Sequence, residues 1–211
     1  MIIAVDGPAA AGKGTLVSKL AKHFNLESLD TGTLYRGVAL SMMNEGIDLD
    51  DEITALQYAK DLDLHLTKSS DIRSAAVGVA ASKIASVKTV RTALLNFQRE
   101  FAKNPPREKN GTILDGRDIA TVVCPEADYK IFVTANIKIR TKRRLKELIE
   151  RNEPAIYGQV MKELRERDDR DSTRSIAPLR QEKDAMIIDT SDLDTEQTFE
   201  QARVFVASKK L

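Results

Sequence analysis

The chain has 211 residues, 42% of them hydrophobic, which can bury one sizeable core but is short for two independent domains. Its 33 basic and 32 acidic residues nearly cancel, so no overall charge marks it as a protein of nucleic acids or membrane surfaces. A single cysteine, no apolar run of transmembrane length and an N-terminus without a signal-peptide pattern lead us to expect a cytoplasmic protein.

The first predicted element is a short apolar strand at residues 2–5, which leads into a glycine-framed loop. After the loop, Leu16, Val17 and Leu20 recur with helical spacing. Strand, glycine loop and helix are the context of a phosphate-binding loop, in which backbone N–H groups and the helix N-terminus surround an anion. We therefore predict a nucleoside triphosphate site. The residues expected to bind ATP are Gly7, Pro8, Ala9, Ala10, Ala11, Gly12, Lys13, Gly14 and Thr15.

One position of this loop departs from the common form of the motif. Lys13 is placed to reach the outer phosphates, and the next residue is usually a serine or threonine whose hydroxyl binds Mg²⁺. Here Gly14 takes that position and Thr15 follows. Since glycine offers no side-chain oxygen, we expect Mg²⁺ to be held more through phosphates and water molecules. The Lys-Gly-Thr variant is frequent in nucleoside monophosphate kinases.

Four further apolar runs of strand length follow, at residues 26–29, 112–114, 130–133 and 185–188. Each comes after a stretch with helical periodicity or high helix propensity, and this alternation predicts an α/β fold with a parallel sheet and helices on both faces. Polar clusters that begin at Asp30, Asp115 and Asp189 follow three of these runs. Because ligands of such sheets bind beyond the carboxyl ends of the strands, the clusters indicate a site at that edge.

Two regions fall outside the alternation. Residues 62–103 begin with Leu62, Leu64 and Leu66, which alternate as in a strand, and continue as an Ala/Ser/Val-rich helical stretch. This pattern predicts an insertion between the second and third strands. Residues 139–175 are dense in charges of both signs at helical spacing. A solvated helix pair would explain the lysines and glutamates, but it does not require the eight arginines of this segment.

Several arginines are candidates for binding phosphate. Phosphoryl transfer needs two phosphates held in line with their charge neutralised, and the planar guanidinium suits phosphate oxygens. A nucleic-acid-binding protein would also use arginines, but with more aromatic side chains than the six Phe and four Tyr of this chain. The arginines expected to converge at the carboxyl edge of the sheet are Arg36, Arg117, Arg140, Arg143, Arg144, Arg167, Arg170 and Arg174.

The run at residues 112–114 ends in an acidic residue, Asp115. Coupled to a phosphate loop, a strand that ends in aspartate is a candidate for holding Mg²⁺ or its water shell. The alternative is an aspartate that only caps a loop. The histidines, His23 and His65, have no Cys/His neighbours at metal-ligand spacing, and neither is a candidate general base.

Five segments carry a resemblance to a known family, at residues 6–15, 29–36, 80–91, 114–118 and 166–179. Phosphate loops occur in many unrelated proteins, whereas the Asp-Gly-Arg-Asp sequence at 115–118 and the Arg-Asp-Asp-Arg-Asp sequence at 167–171 are together specific. On these segments the chain resembles the bacterial cytidylate (CMP) kinases over essentially its full length.

The resemblance implies a P-loop three-layer α/β/α fold with a five-stranded parallel sheet, in a single kinase domain. Its core would comprise residues 1–61, 104–149 and 172–211, with an NMP-binding insertion at 62–103 and a mobile lid at 150–171. The implied activity is ATP- and Mg²⁺-dependent phosphorylation of CMP and dCMP to CDP and dCDP. The protein would be a cytoplasmic monomer with no nucleic-acid or membrane partner.

The resemblance also implies roles for individual residues. Ser82, Arg91 and Asp118 would read the cytosine, whose amine and ring acceptors complement a carboxylate beside an arginine and a hydroxyl. The full set expected to bind CMP is Thr31, Arg36, Ser82, Arg91, Arg117, Asp118, Asp171 and Arg174, with Arg36, Arg117 and Arg174 on the phosphate and Asp171 on the ribose. The expected catalytic residues are Lys13, Arg117, Arg167 and Arg170, and Asp115 is expected to bind Mg²⁺ through water.

One departure from the family pattern concerns the insertion. Only residues 67–73 separate the alternating leucines from the helical stretch, so we expect the family's small antiparallel sheet to be cut down and the insertion to be mainly helical.

The alternative functions are a kinase for another small acceptor, such as UMP or AMP, and a nucleotide-dependent regulatory ATPase. A GTPase switch would show Asn-Lys-x-Asp, which this sequence lacks.

Overall fold

The computed structural model describes residues 1–208, and its centre is a sheet of five parallel strands. The strands are β1 (Ile2–Asp6), β2 (Glu27–Asp30), β3 (Thr112–Gly116), β4 (Tyr129–Thr134) and β5 (Met186–Asp189). Their spatial order is β2-β3-β1-β4-β5. The five strands predicted from the apolar runs are confirmed, because each lies within about two residues of its predicted bounds.

Helices cover both faces of the sheet, which confirms the predicted three layers. The α-helices of the described residues are α1 (Lys13–Phe24), α2 (Gly32–Asn44), α3 (Glu52–Lys60), α4 (Ala75–Ile84), α5 (Lys88–Lys103), α6 (Ile137–Glu150), α7 (Tyr157–Thr173) and α8 (Thr195–Ser208). Successive residues of β1 point to opposite faces. Ile3 and Val5 pack with α1 and α8, whereas Ala4 packs with the end of α5 and the residues after β3.

The insertion between α3 and β3 is mainly helical, as the sequence predicts. Two short 3₁₀ helices, Leu66–Lys68 and Ser70–Arg73, precede α4. Residues 85–87 are not helical and separate α4 from α5. Ile84 of α4 and Leu94 of α5 share an apolar cluster with Val38 of α2. The insertion is therefore mounted on the core through α2.

The strand indicated by alternating leucines does not form, and within the described part of the chain residues 62–103 contain no strand. The reason is local hydrogen bonding after Asp63. Its carboxylate accepts the N–H of His65 at 2.8 Å, and its carbonyl oxygen accepts the N–H of Leu66 at 3.1 Å. These bonds turn the backbone and occupy groups that a strand ladder would need. The alternation is thus not a strand signal here.

The charge-dense segment forms a hairpin of α6 and α7. Leu148 of α6 packs with Val160 and Leu164 of α7, and Ala9 of the phosphate loop and Ala75 of the insertion border this cluster. The hairpin therefore contacts both the loop and the insertion. No helix in residues 1–208 is long and apolar enough to cross a membrane.

Candidate active site

The predicted phosphate loop joins β1 to α1 and is shaped by two glycines. Gly7 has a φ of 148°, and a Cβ there would lie 1.9 Å from the carbonyl oxygen of Val133. Gly12 precedes α1 with a φ of 97°, a backbone conformation that residues other than glycine rarely adopt. In the described residues no side chain caps the N-terminus of α1, so its N–H groups are left for an anion.

Lys13, the first residue of α1, is buried at the end of this loop. Its Nζ donates to the carbonyl oxygen of Pro8 at 3.0 Å and lies 3.7 Å from Oδ1 of Asp115, near the end of β3. Burial, together with repulsion from Arg117, lowers the pKa of Lys13 below its ordinary 10.5. Burial also raises the pKa of Asp115. An anion bound beside Lys13 would favour its charged form.

Asp115 is the carboxylate closest to Lys13, and it is the candidate ligand of a hydrated metal ion. Its partner across the β2–β3 pair is Asp30, and a Cβ at Gly14 would lie 3.9 Å from its Oδ2. Among residues 1–208 there is no group of three or more His, Cys, Asp and Glu that could enclose a metal. Mg²⁺ usually keeps several waters and takes one or two carboxylates with substrate phosphates. The residues present therefore fit a hydrated Mg²⁺ but not a cage made by protein alone.

Thr31 ties the carboxyl ends of β2 and β3 together. Its N–H and its hydroxyl both donate to the carbonyl oxygen of Asp115, at 2.9 and 2.8 Å. Gly116 follows, and a Cβ there would lie 2.7 Å from the Thr31 hydroxyl oxygen. The residues at this edge of the sheet are thus held at close quarters, and Thr31 lies in the wall of the cleft.

The residues expected to read a base lie together beyond Gly116. Asp118 is buried, and its Oδ2 accepts a hydrogen bond from Nη2 of Arg91. Nη2 of Arg174 lies 3.6 Å from Oδ1 of Asp118. The Arg91 guanidinium stands over the ring of Tyr35, 5.3 Å from the centroid. Ser82, on α4, is buried in the wall of the same cleft. A carboxylate, two guanidiniums and a hydroxyl are thus available to one polar ring.

The arginines expected to hold phosphate are anchored by neighbouring acceptors. Nε of Arg117 donates to Oδ2 of Asp171 at 2.8 Å, and Nη1 of Arg36 donates to the carbonyl oxygen of Ile72 at 2.8 Å. Arg174 donates through Nε to the carbonyl oxygen of Ala177 at 2.8 Å. These contacts orient the planar guanidiniums before any ligand is bound, which lowers the entropy lost on binding.

Arg167 of α7 faces this cluster without a complete set of partners. Its Nε is buried and has no hydrogen-bond partner among the described residues, although it lies 3.9 Å from Oδ2 of Asp171. Burial and repulsion from Arg117 lower the pKa of Arg167 to about 9. A buried unpartnered donor costs free energy, which an incoming anion would offset. Arg170 differs, because it does not line the cleft and its Nε donates to Oγ of Ser82 at 3.2 Å.

Two of the predicted arginines support the loop rather than line the cleft. Arg140 donates to both carboxylate oxygens of Asp168, at 3.0 and 2.6 Å, and to the carbonyl oxygen of Ala9 at 3.3 Å. Arg143 donates to the hydroxyl and carbonyl oxygens of Thr190, at 2.8 and 2.7 Å. Arg144 pairs with Glu147 at 2.9 Å and does line the cleft. The arginines of α6 therefore have separate tasks.

Asp6, at the end of β1, begins a segment that resembles the family but was assigned no role from the sequence. Its side chain is buried, and its two carboxylate oxygens accept the N–H groups of Ile119 and Ala120 at 2.8 Å each. These residues begin a π-helical turn, Ile119–Val123, directly after Asp118. Burial raises the pKa of Asp6 to about 7, even though both N–H groups favour the carboxylate. Asp6 thus fixes the segment that carries Asp118.

The stability of the free protein should fall as the pH rises from about 4 to about 7, in part because of Asp6, whose pKa is 3.8 ordinarily and about 7 in the fold. Across this window the unfolded chain has released a proton that the folded protein keeps. The unfolded state therefore binds fewer protons, and the free energy of unfolding decreases by at most about 1.4 kcal/mol per pH unit. Thermal melts of the parent and of Asp6→Asn should show the steeper decline in the parent. Parallel curves would contradict a buried titration at Asp6.

One cleft contains both halves of the predicted site. The cleft residues predicted from the sequence are Ala9, Ala10, Lys13, Thr31, Arg36, Ser82, Arg91, Asp115, Arg117, Asp118, Arg144, Arg167, Asp171 and Arg174. Gly12 and Thr15 line a neighbouring pocket with Arg143 and Thr190. Tyr35, Arg73 and Glu147 also line the cleft but were not identified from the sequence. Tyr35 carried a signal, since it lies inside a segment that resembles the family.

Comparisons with known proteins agree on one family. The profile described as Cytidylate kinase matches residues 3–207. A cytidylate kinase of Paramagnetospirillum magneticum is 50% identical over 99% of this chain and 99% of its own length. A cytidylate kinase of Bartonella henselae is 50% identical over 94% of this chain and 90% of its own length.

Among solved structures, an uncharacterized protein from Eubacterium ventriosum superposes with a TM-score of 0.58. It is 13% identical, and the match covers 99% of each chain. At that identity the likeness concerns the fold alone.

Proposed function

The chain belongs to the cytidylate kinase family, and we propose that residues 7–15 hold the triphosphate of ATP while the cleft beyond Lys13 holds CMP or dCMP. The chain is a phosphotransferase with CMP as its acceptor and ATP as its donor. The observation that carries the assignment of residues is the single cleft that joins Lys13 to Asp118 and Arg91. It supports an anion site and a base-reading site side by side.

On the donor side, the loop N–H groups and the N-terminus of α1 would surround the phosphates, and Lys13 would neutralise charge on the outer ones. Asp115 would hold Mg²⁺ through its water shell, and Mg²⁺ supplies further charge neutralisation when bound. The pocket beside Gly12 and Thr15, bordered by Arg143 and Thr190, suits the nucleoside of the donor. Arg143 would in addition keep the loop in place through Thr190.

On the acceptor side, Asp118 would accept from the exocyclic amine of cytosine, with Arg91 and Ser82 on the remaining edge. Arg36, Arg117 and Arg174 would bind the phosphate. The further residues assigned to CMP are Thr31 and Asp171, the latter on the ribose. A polar site of this kind rejects a wrong base because its buried groups would stay unpaired.

Transfer itself requires little from the protein beyond position and charge. The acceptor is a phosphate oxyanion, already a nucleophile, so no general base is needed. Lys13, Arg117 and Arg167 would neutralise the charge of the transferring group. Arg170, which donates to Ser82 outside the cleft in the free protein, would join them when the lid closes. The unpartnered Nε of Arg167 supports its assignment, since a phosphate oxygen would complete its hydrogen bonding.

The experiment that tests this function measures phosphoryl transfer from ATP to CMP, dCMP, UMP and AMP, beside ATP hydrolysis with no acceptor. CMP and dCMP should be preferred, and hydrolysis without acceptor should be slow. A preference for UMP or AMP would favour a kinase for another acceptor. Hydrolysis that no acceptor stimulates would instead favour a regulatory ATPase.

The chain is further proposed to act as a cytoplasmic monomer without a nucleic-acid or membrane partner. The near balance of 33 basic and 32 acidic residues supports the absence of a nucleic-acid partner. Its lone cysteine, Cys124, is buried and unpaired, which suits a reducing compartment. The proposed division is a core of residues 1–61, 104–149 and 172–211, an NMP-binding insertion at 62–103 and a lid at 150–171.

Hydrogen exchange in residues 150–171 should be fast in the free protein and slow with a bisubstrate analogue bound. Few polar contacts hold this segment to the insertion: Glu153 accepts the N–H of Ala75 at 2.9 Å, and Arg170 donates to Ser82 at 3.2 Å. The arginines of α7 gain phosphate partners when the nucleotides arrive, and a closed lid excludes water. Amides of β1 serve as the unchanged reference. Equal protection of residues 150–171 in both states would indicate a fixed helical hairpin.

A further inference from the structure

We propose that Arg73 is an additional binding residue for the 5′-phosphate of the acceptor nucleotide, supplied by the insertion between α3 and β3. The proposal rests on the function given above. Arg73 is the last residue of the 3₁₀ helix Ser70–Arg73, and its side chain lines the cleft beside Arg36 and Arg144. The segment before α4 thus delivers a guanidinium to the cleft that is proposed to hold the acceptor.

The backbone on both sides of Arg73 is held in place by other parts of the site. Nη1 of Arg36 donates to the carbonyl oxygen of Ile72 at 2.8 Å. Oε2 of Glu153 accepts the N–H of Ala75 at 2.9 Å, at the start of α4. Ile72 is itself buried. Arg73 therefore projects from a fixed point, although its own side chain is exposed.

The arginines around Arg73 outnumber the carboxylates beside them. In the part of the chain that the structure describes, Arg73 has no ion pair or hydrogen bond through its side chain, while Arg36 and Arg144 are neighbouring cations. Two carboxylates of the cleft also act on Arg36: Asp30, and Glu147, which is already paired with Arg144 at 2.9 Å. Burial first, then repulsion from cations that include Arg144 and Arg73, lowers the pKa of Arg36 to about 10. A dianion bound between these arginines would turn repulsion into attraction.

The phosphate of the acceptor is the anion that geometry selects. With the base held at Asp118, the phosphate end of a nucleoside monophosphate would reach toward Arg36 and Arg73, which line the same cleft. A guanidinium can donate two parallel hydrogen bonds to phosphate oxygens, which an ammonium cannot. Because Arg73 is exposed and screened by water, its contribution falls at the low end for charge-assisted bonds.

The test compares CMP with cytidine, which keeps the base and ribose but lacks the phosphate. Calorimetric titrations would use the parent, Arg73→Gln, Arg73→Lys and a matched control, Arg107→Gln, which removes an exposed arginine outside the cleft. Arg73→Gln should weaken CMP about five- to tenfold and leave cytidine and the KM for ATP unchanged. The CMP affinity of Arg73→Lys should lie between those of the parent and Arg73→Gln. The loss of CMP affinity in Arg73→Gln should shrink as salt is added.

Four outcomes would overturn the inference. Equal loss of CMP and cytidine affinity would mean that Arg73 only shapes the insertion. Unchanged CMP affinity in Arg73→Gln, or the same loss in Arg107→Gln, would remove Arg73 from the phosphate site while leaving the proposed function intact. Failure of the parent to bind CMP would overturn the proposed function and this inference with it.

Discussion

Replacing Lys13 with alanine should lower the turnover number by about 10²–10³-fold or more while the protein stays folded. The Nζ of Lys13 is the cation closest to Asp115 at the mouth of the phosphate loop, at 3.7 Å. In the proposed site it neutralises charge that grows on the phosphates during transfer, so its loss acts on the transition state more than on CMP binding. The measurement is kcat with saturating ATP and CMP, together with a thermal melt of the purified variant.

The fold should survive this substitution because the group left behind can adjust. Without Lys13, Asp115 loses the main attraction that opposes its burial, and it can take up a proton instead of remaining a buried charge. Lys19→Ala is the matched control, since Lys19 lies on the same helix and pairs with the exposed Glu196 away from the cleft. A folded Lys13→Ala protein with near-normal turnover would show that the phosphate-loop assignment is wrong.

Asp118→Asn should lower kcat/KM for CMP by about 10- to 100-fold relative to UMP, and leave the KM for ATP nearly unchanged. The carboxylate is proposed to accept from the cytosine amine, and one good base contact discriminates by about 1–3 kcal/mol in the analogous nucleic-acid setting. Asparagine keeps the size of the side chain but offers an amide donor, which suits the O4 acceptor of uracil better than the amine of cytosine. Arg91 and Arg174 also lose a charged partner.

The measurement is the ratio of kcat/KM values for CMP and UMP at fixed ATP. Asp50→Asn serves as the control, because Asp50 is exposed and outside the cleft. A ratio equal to that of the parent would remove Asp118 from the base site. A parallel rise in the KM for ATP would instead indicate that the substitution disturbs the whole carboxyl edge of the sheet.

The sheet could be predicted from the sequence because its signals are local. Strands such as β1 and β3 are buried on both faces, so they read as short apolar runs, and the helices between them carry a 3.6-residue pattern. The alternating Leu62, Leu64 and Leu66 misled because Asp63 turns the chain before a strand can form. Alternation is a necessary sign of a half-buried strand, but it does not supply a partner strand.

The residues that escaped prediction act through contacts distant in sequence. Asp6 accepts a hydrogen bond from the N–H of Ile119, 113 residues away, and the residues adjacent to Asp6 in sequence do not predict that bond. Arg140 and Arg143 match phosphate-binding arginines in type and position, yet their partners are Asp168 and Thr190. Only the packed structure separates an arginine that awaits a ligand from one that already has its acceptors.

The hydrogen bonds between Asp6 and the turn after Asp118 let the sheet set the distance between the two parts of the proposed site. Asp6 of β1 is paired in register with Gly116 of β3, and neighbouring strands lie about 4.8 Å apart. The proposed donor loop leaves β1, and the proposed base-reading segment leaves β3. Their spacing is therefore set by backbone ladders that no substrate needs to rearrange. Movement of the helices above can change the charges and the water around the reacting atoms, but it leaves the two anchor points at one separation.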